Sequence, residues 1–250
     1  MRRKIKKILQ LSYSYPHIPE ISNNIGIIIP TTSNKRNYQN VQDIDFFKIV
    51  FSSFIKCMNK DKKYNYNFYL GYDYDDQFYL QNHQKIIDYF NSFGQQNLLI
   101  NLYKVENMKG KVGQIWSFLA DKAKEKNHFL YQLGDDIELI DSGWEDIFIQ
   151  NLEKSNYLGV TGPLDLNNVR LLTQSFVHII HLDVFGTYFP PEIINWFIDD
   201  WIMNVYSSTQ DRRIKLINKG GVNRYNAIND KANYLKILKR DKTKLEKYLI

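Results

Sequence analysis

Two pairs of adjacent carboxylates carry the clearest chemical potential in this 250-residue chain. Asp135 and Asp136 follow Gly134 and the apolar run Phe129-Leu130-Tyr131-Gln132-Leu133 directly. Neighbouring residues just past a strand end can both reach a ligand crevice, because the chain is turning there. Hard carboxylate oxygens suit Mg2+ or Mn2+, which often complete their shells with phosphate oxygens. The plainer reading makes either acid the cap of a turn or helix. Asp199 and Asp200 form the second pair, at the start of a helical stretch between Trp196 and Trp201. A carboxylate there can take a hydroxyl proton, and tryptophan faces stack on sugar rings. An acidic helix start with buried tryptophans is the competing reading.

Short apolar runs alternating with amphipathic stretches must position these acids. Ile25 to Ile29 reads as a buried strand ending at Pro30, Phe68 to Tyr72 as a second, Leu98 to Tyr103 as a third and Phe129 to Leu133 as a fourth. Ile44, Phe47, Phe51, Phe54, Ile55 and Met58 recur at helical spacing between the first two strands. Asp75 or Asp76 is placed to cap a helix running towards Phe90, and Val112 to Lys126 reads as another helix. Such alternation implies a largely parallel, doubly wound sheet, whose ligands bind at the carboxyl ends of the strands. Thr31 to Asn34, Asp73 to Asp76 and Gly134 to Asp136 all fall at such ends.

The order of motifs resembles the glycosyltransferases of the GT-A type. Leu133-Gly134-Asp135-Asp136-Ile137 is similar to their acidic DXD signature in its exostosin-like form, with Gly134 in place of the first Asp. Downstream, Thr161-Gly162-Pro163-Leu164-Asp165, Leu172 to His178, Phe185-Gly186 and Asn195 to Asn204 resemble the second half of that family. The likeness runs from about Ile25 to Tyr225 and is better from Lys111 onward. It implies a mixed, mostly parallel sheet flanked by helices, and transfer of a sugar from a nucleoside diphosphate sugar, UDP first, to a glycan or glycoprotein hydroxyl. It implies Asp136 as the direct ligand of Mn2+ or Mg2+, with Asp135 in support. Pro30, Thr31, Thr32 and Asp73 would meet base and ribose, and Lys111 and Arg224 the diphosphate. Asp200 or Asp199 would act on the acceptor hydroxyl, with Trp196 and Trp201 beside the acceptor. His178 and His181, three apart on a strand, face opposite sides and so do not share a metal; a structural or acceptor-contacting role is expected. Inverting and retaining outcomes both stay open.

Two other readings compete. One is a catalytically degenerate module that binds nucleotide or glycan without turnover. The other is a sugar-phosphate nucleotidyltransferase, which normally wants a glycine-rich basic loop where Thr31 to Arg36 has no glycine. No GxxxxGK[ST], GxGxxG, HExxH or GxSxG motif is present.

Composition narrows the rest. The net charge is +6, but the first seven residues carry +5 and the stretch from Lys231 another +5, so the body between them is acidic, about −4. That argues against nucleic acid as a partner. It leaves peripheral membrane contact through the basic termini, and a homodimer, as open partners. One cysteine, Cys57, excludes an internal disulfide and favours a reducing compartment. No apolar run approaches the roughly 18 residues of a membrane span, and no secretion signal is evident, so a cytoplasmic location is expected. The organisation expected is a basic extension over 1–24, a glycosyltransferase-like domain over 25–225 and a C-terminal helix over 226–250.

Overall fold

The computed structural model describes residues 22–220 and 230–249. The central sheet contains β1 (Asn24–Thr31), β2 (Asn65–Asp73), β3 (Leu98–Val105), β4 (Phe129–Gln132) and β7 (Ser175–His178). Its order is β3-β2-β1-β4-β7. The first four strands pair in parallel, and β7 runs antiparallel to β4. A smaller sheet of β5 (Ile137–Leu139), β8 (Asp211–Asn218) and β6 (Pro163–Asp165) lies beyond the acidic turn after β4. The helices are α1 (Ser52–Cys57), α2 (Gln77–Asn91), α3 (Val112–Ala123), α4 (Trp144–Glu153), α5 (Ile180–Phe185), α6 (Ile198–Tyr206) and α7 (Lys231–Tyr248). The result is the mixed α/β architecture expected, with a mostly parallel central sheet between helices.

The apolar strands are buried on both faces, and the pleat sends alternate residues to two cores. Ile25, Ile27 and Ile29 of β1, with Phe68 and Leu70 of β2, pack under Phe51, Phe54 and Phe90 on one face. Ile28 and Tyr69 face Ile115 and Leu119 of α3, and Trp201 and Ile202 of α6, on the other. Each such side chain contributes roughly 1.5–3 kcal/mol by leaving water. At Gly71 a Cβ would stand 3.1 Å from Ile115 and Val105, so the missing side chain lets α3 lie close on the sheet.

Two local expectations change. β1 continues through Pro30 to Thr31. The β4 ladder stops at Ile28 opposite Gln132, so no β4 residue pairs with Pro30. The apolar stretch from Val41 is a 3-10 turn (Val41–Asp43), a π-helical segment (Phe46–Phe51) and then α1, rather than one α-helix. The wider π turns place both Phe46 and Phe47 in the core together with Val50 and Phe51. The C-terminal helix α7 packs on the domain: Tyr234 and Ile237 join the α3–α6 core, and buried Asp241 accepts from the Trp201 indole at 3.2 Å. Cys57 is buried, as expected. No described helix is long and apolar enough to cross a membrane.

Candidate functional site

A cavity of about 590 Å³ opens at the carboxyl ends of β1, β2 and β4. Pro30, Thr31, Thr32, Asp73, Gly134 and Asp135 line one wall. Trp196, Phe197, Asp199 and Asp200 line the other, and the start of α3 lies between them through Gly110, Val112 and Ile115. Residues more than 160 positions apart in sequence thus share one space, because a doubly wound sheet gathers its strand ends on one edge.

The floor is a hydrogen-bonded acidic cluster. Thr31 Oγ1 donates to Asp135 Oδ2 at 2.8 Å and shares a 2.5 Å contact with the Tyr79 hydroxyl. Arg36 grips Asp135 with both terminal nitrogens, Nη2 reaching Oδ1 at 2.8 Å and Nη1 reaching Oδ2. The same guanidinium meets Asp45 through Nε at 2.9 Å and Asp136 at 3.7 Å. Burial works against its charge, but the hydrogen bond and charge of Asp135 prevail and hold Arg36 firmly protonated. Gly134 presents its N–H to Gln174 Oε1 at 2.9 Å, which fixes the turn from β4 into the two aspartates. Asp76 caps α2 through Tyr79 N–H and also accepts from Ser33, so the β1 loop is tied to the helix that follows β2.

A divalent ion held jointly by Asp135 and Asp136 does not fit this arrangement. Asp135 Oδ2 already accepts from Thr31 and Arg36, and Oδ1 from Arg36. A fixed guanidinium sits where a second cation would have to approach. No group of three or more His, Cys, Asp or Glu suited to a metal occurs among the described residues. Asp136 does not line the cavity; its backbone carbonyl accepts from Lys219 N–H at 2.9 Å, and a Cβ on Gly220 would collide with its carboxylate.

The opposite wall is carried by α6. Phe197 enters the helix at φ 70°, a left-handed conformation unusual for a side-chain-bearing residue, and its ring stacks on Tyr234 at 4.9 Å. Asp199 and Asp200 follow in the first turn. Arg170 Nη1 donates to Asp200 Oδ1 at 3.3 Å. Burial, then the charges of Asp200 and Asp165, push the Asp199 carboxyl up to about 8, with Arg170 opposing. Asp199 is thus a carboxyl poised near neutral pH inside a cleft.

Several expected residues lie elsewhere. Trp201 is fully buried under α7 and does not face the cavity, whereas Trp196 is 49% exposed at its mouth. The stripe Ile198, Trp201, Ile202, Val205, all buried, already carried that signal at helical spacing. His178 ends β7 in contact with Phe129 and Tyr157. His181 sits in α5 rather than on the strand, bonded to the Tyr206 hydroxyl at 2.9 Å and the Tyr188 carbonyl at 2.8 Å. Burial lowers both imidazoles to about 4, so these are neutral core groups, and neither lines the cavity. Lys111 is the N-terminal flanking residue of α3; its ammonium bonds Asn107 O at 3.3 Å, and its neighbours rather than Lys111 line the cavity. Arg224 lies outside the described residues. Reading the sequence missed Arg36, Asn168, Arg170 and Gln174, which sit in loops without periodicity.

No family model matches the chain, and no curated protein matches it. Among solved structures, the crystal structure of S. aureus TarS aligns with a TM-score of 0.48 at 13% identity, covering 87% of this chain. This chain spans 42% of the length of that one. A likeness at that level says nothing of what this chain does.

Proposed function

We propose that this chain is a glycosyltransferase that takes a sugar from a nucleoside diphosphate donor, UDP first, to an acceptor hydroxyl. The observation that carries the reading is the single cavity joining the Thr31–Asp73–Asp135 wall to the Trp196–Asp199–Asp200 wall. The first wall offers hydrogen-bond acceptors to a nucleoside and a sugar. The positive end of α3 opens between the walls and favours the diphosphate. The second wall offers an exposed indole face to an acceptor sugar and a carboxylate to its hydroxyl.

In the reaction, the acceptor oxygen bonds to the anomeric carbon as the bond from that carbon to the diphosphate oxygen breaks. The electron pair leaves with the diphosphate, and Asp199 takes the hydroxyl proton. A carboxylate with its pKa near the working pH is an effective base for that proton. Asp200, held by Arg170, orients the acceptor. One displacement of this kind inverts the anomeric centre. Asp135, fixed by Thr31 and Arg36, accepts from donor hydroxyls.

Calorimetric titration with a panel of nucleotide sugars tests the donor half. One donor should bind, and Asp73→Ala and Asp135→Asn should each weaken it while Asp199→Asn does not. Binding untouched by the first two changes, or lost with the third, would move the donor to another site.

A further inference from the structure

We propose that Arg36 is a built-in cation of the Asp135–Asp136 turn and excludes divalent metal ions from it in the donor-free protein. The resemblance in sequence makes Asp136 the direct ligand of a metal with Asp135 in support; the chain puts a guanidinium against both carboxylates instead.

Arg36 is anchored from several directions. Its Nη1 also donates to the Thr32 carbonyl at 2.9 Å, and its own N–H closes a turn onto Ser33 O at 3.0 Å. Its Cζ lies 5.9 Å from the Tyr38 ring centroid, and the Tyr38 hydroxyl accepts from the N–H of Asp45, whose carboxylate meets Arg36 Nε. The side chain is 5% exposed. This is not a surface arginine that leans into an acidic patch; the loop from Thr32 to Asp45 is folded around it. A planar fork matches both oxygens of a carboxylate at once, which an ammonium does not. The guanidinium also keeps its proton across the working pH range, so the positive charge is permanent.

The charges follow from the same contacts. Asp45, Asp135 and Asp136 meet one guanidinium, so the cluster stays net anionic while its centre is already taken by a cation. A divalent ion would have to displace a buried, multiply bonded side chain or sit beside its like charge. On the function proposed above, Arg36 is a positioning residue: its two terminal nitrogens fix the Asp135 carboxylate at the cavity wall, and it does not touch the substrate itself.

The test needs no turnover. Mn2+ is titrated into the donor-free protein, and the free ion is followed by its paramagnetic resonance. Wild type should leave the signal of free Mn2+ unchanged. Arg36→Met should take up one ion with affinity raised about tenfold or more, and Asp136→Ala in that background should abolish the uptake. Stoichiometric uptake by wild type that Asp136→Ala removes overturns the proposal. So does a folded Arg36→Met that takes up none. If circular dichroism shows Arg36→Met unfolded, Arg36→Lys replaces it: absence of uptake upholds the proposal, and uptake lost with Asp136→Ala overturns it. Because only ion binding is read, failure of the glycosyltransferase reading leaves this result standing.

Discussion

Arg170 donates to Asp200 across 3.3 Å at the cavity rim, while Asp199, the adjacent residue in the same helical turn, is held near neutrality by burial. Two acids that are equivalent in sequence thus stand in different surroundings. In the function proposed here, the ion-paired one orients and the desolvated one exchanges a proton.

Asp199 therefore sets a pH dependence. Its pKa in the fold is raised from 3.8 to about 8, so between those values the folded chain holds a proton that the unfolded chain has released. Stability should fall as pH rises through that window. Urea denaturation should show this slope reduced in Asp199→Asn. Turnover should run the other way in wild type, rising with pH to a midpoint near 8 as the base becomes ionised. A turnover profile flat between pH 6 and 9 would remove Asp199 from the role of base.

The Arg36–Asp135 fork should behave as one unit. Removing a single partner of a buried pair leaves an uncompensated charge, so Arg36→Met should cost roughly 3–5 kcal/mol. Asp135→Asn should then cost much less in the Arg36→Met background than in wild type. Chemical denaturation of the four proteins in that cycle reads the coupling, and additive effects would mean that the contact is loose.

The two tryptophans five residues apart should separate cleanly. Trp201→Ala empties a core site and takes one hydrogen bond from Asp241, whose carboxylate keeps Arg240, costing about 3–5 kcal/mol. Trp196→Ala, at the exposed mouth, should change stability by less than about 0.5 kcal/mol yet raise the acceptor KM. An acceptor KM indifferent to Trp196 would leave that wall without a sugar platform.

Gly162 controls the acidic turn from a distance. A Cβ there would run into the backbone carbonyl of Gln174, whose side chain holds Gly134 N–H. Gly162→Ala should lose about 1–3 kcal/mol in urea and weaken donor binding together. Loss of stability with donor affinity intact would separate the two.

Much of the scaffold was legible because its signal is local. The runs around Ile27, Phe68, Ile100 and Tyr131 are apolar, bounded by polar turns and short, as strands buried within a parallel sheet must be. The positions of Asp135, Asp199 and Asp200 at one cavity could be anticipated because they stand at element ends, whereas Asp136, expected beside them, does not line it. Arg36 was not: its meaning lies in a contact with Asp135, 99 residues away, and Thr-Ser-Asn-Lys-Arg reads as an ordinary polar loop. His181 was misplaced because the chain passes from β7 into α5 within two residues of His178, where neither period has room to show. The π-helical segment kept its apolar spacing close enough to that of an α-helix to pass for one.

The most direct measurement mixes the protein with a nucleotide sugar and a hydroxyl-bearing glycan, and follows the glycosidic product and free nucleoside diphosphate together. Wild type should form both in equal amounts, with the anomeric centre inverted, and Asp199→Asn should bind the donor but form neither. Undiminished product from Asp199→Asn, or wild type that binds no nucleotide sugar, would contradict the account.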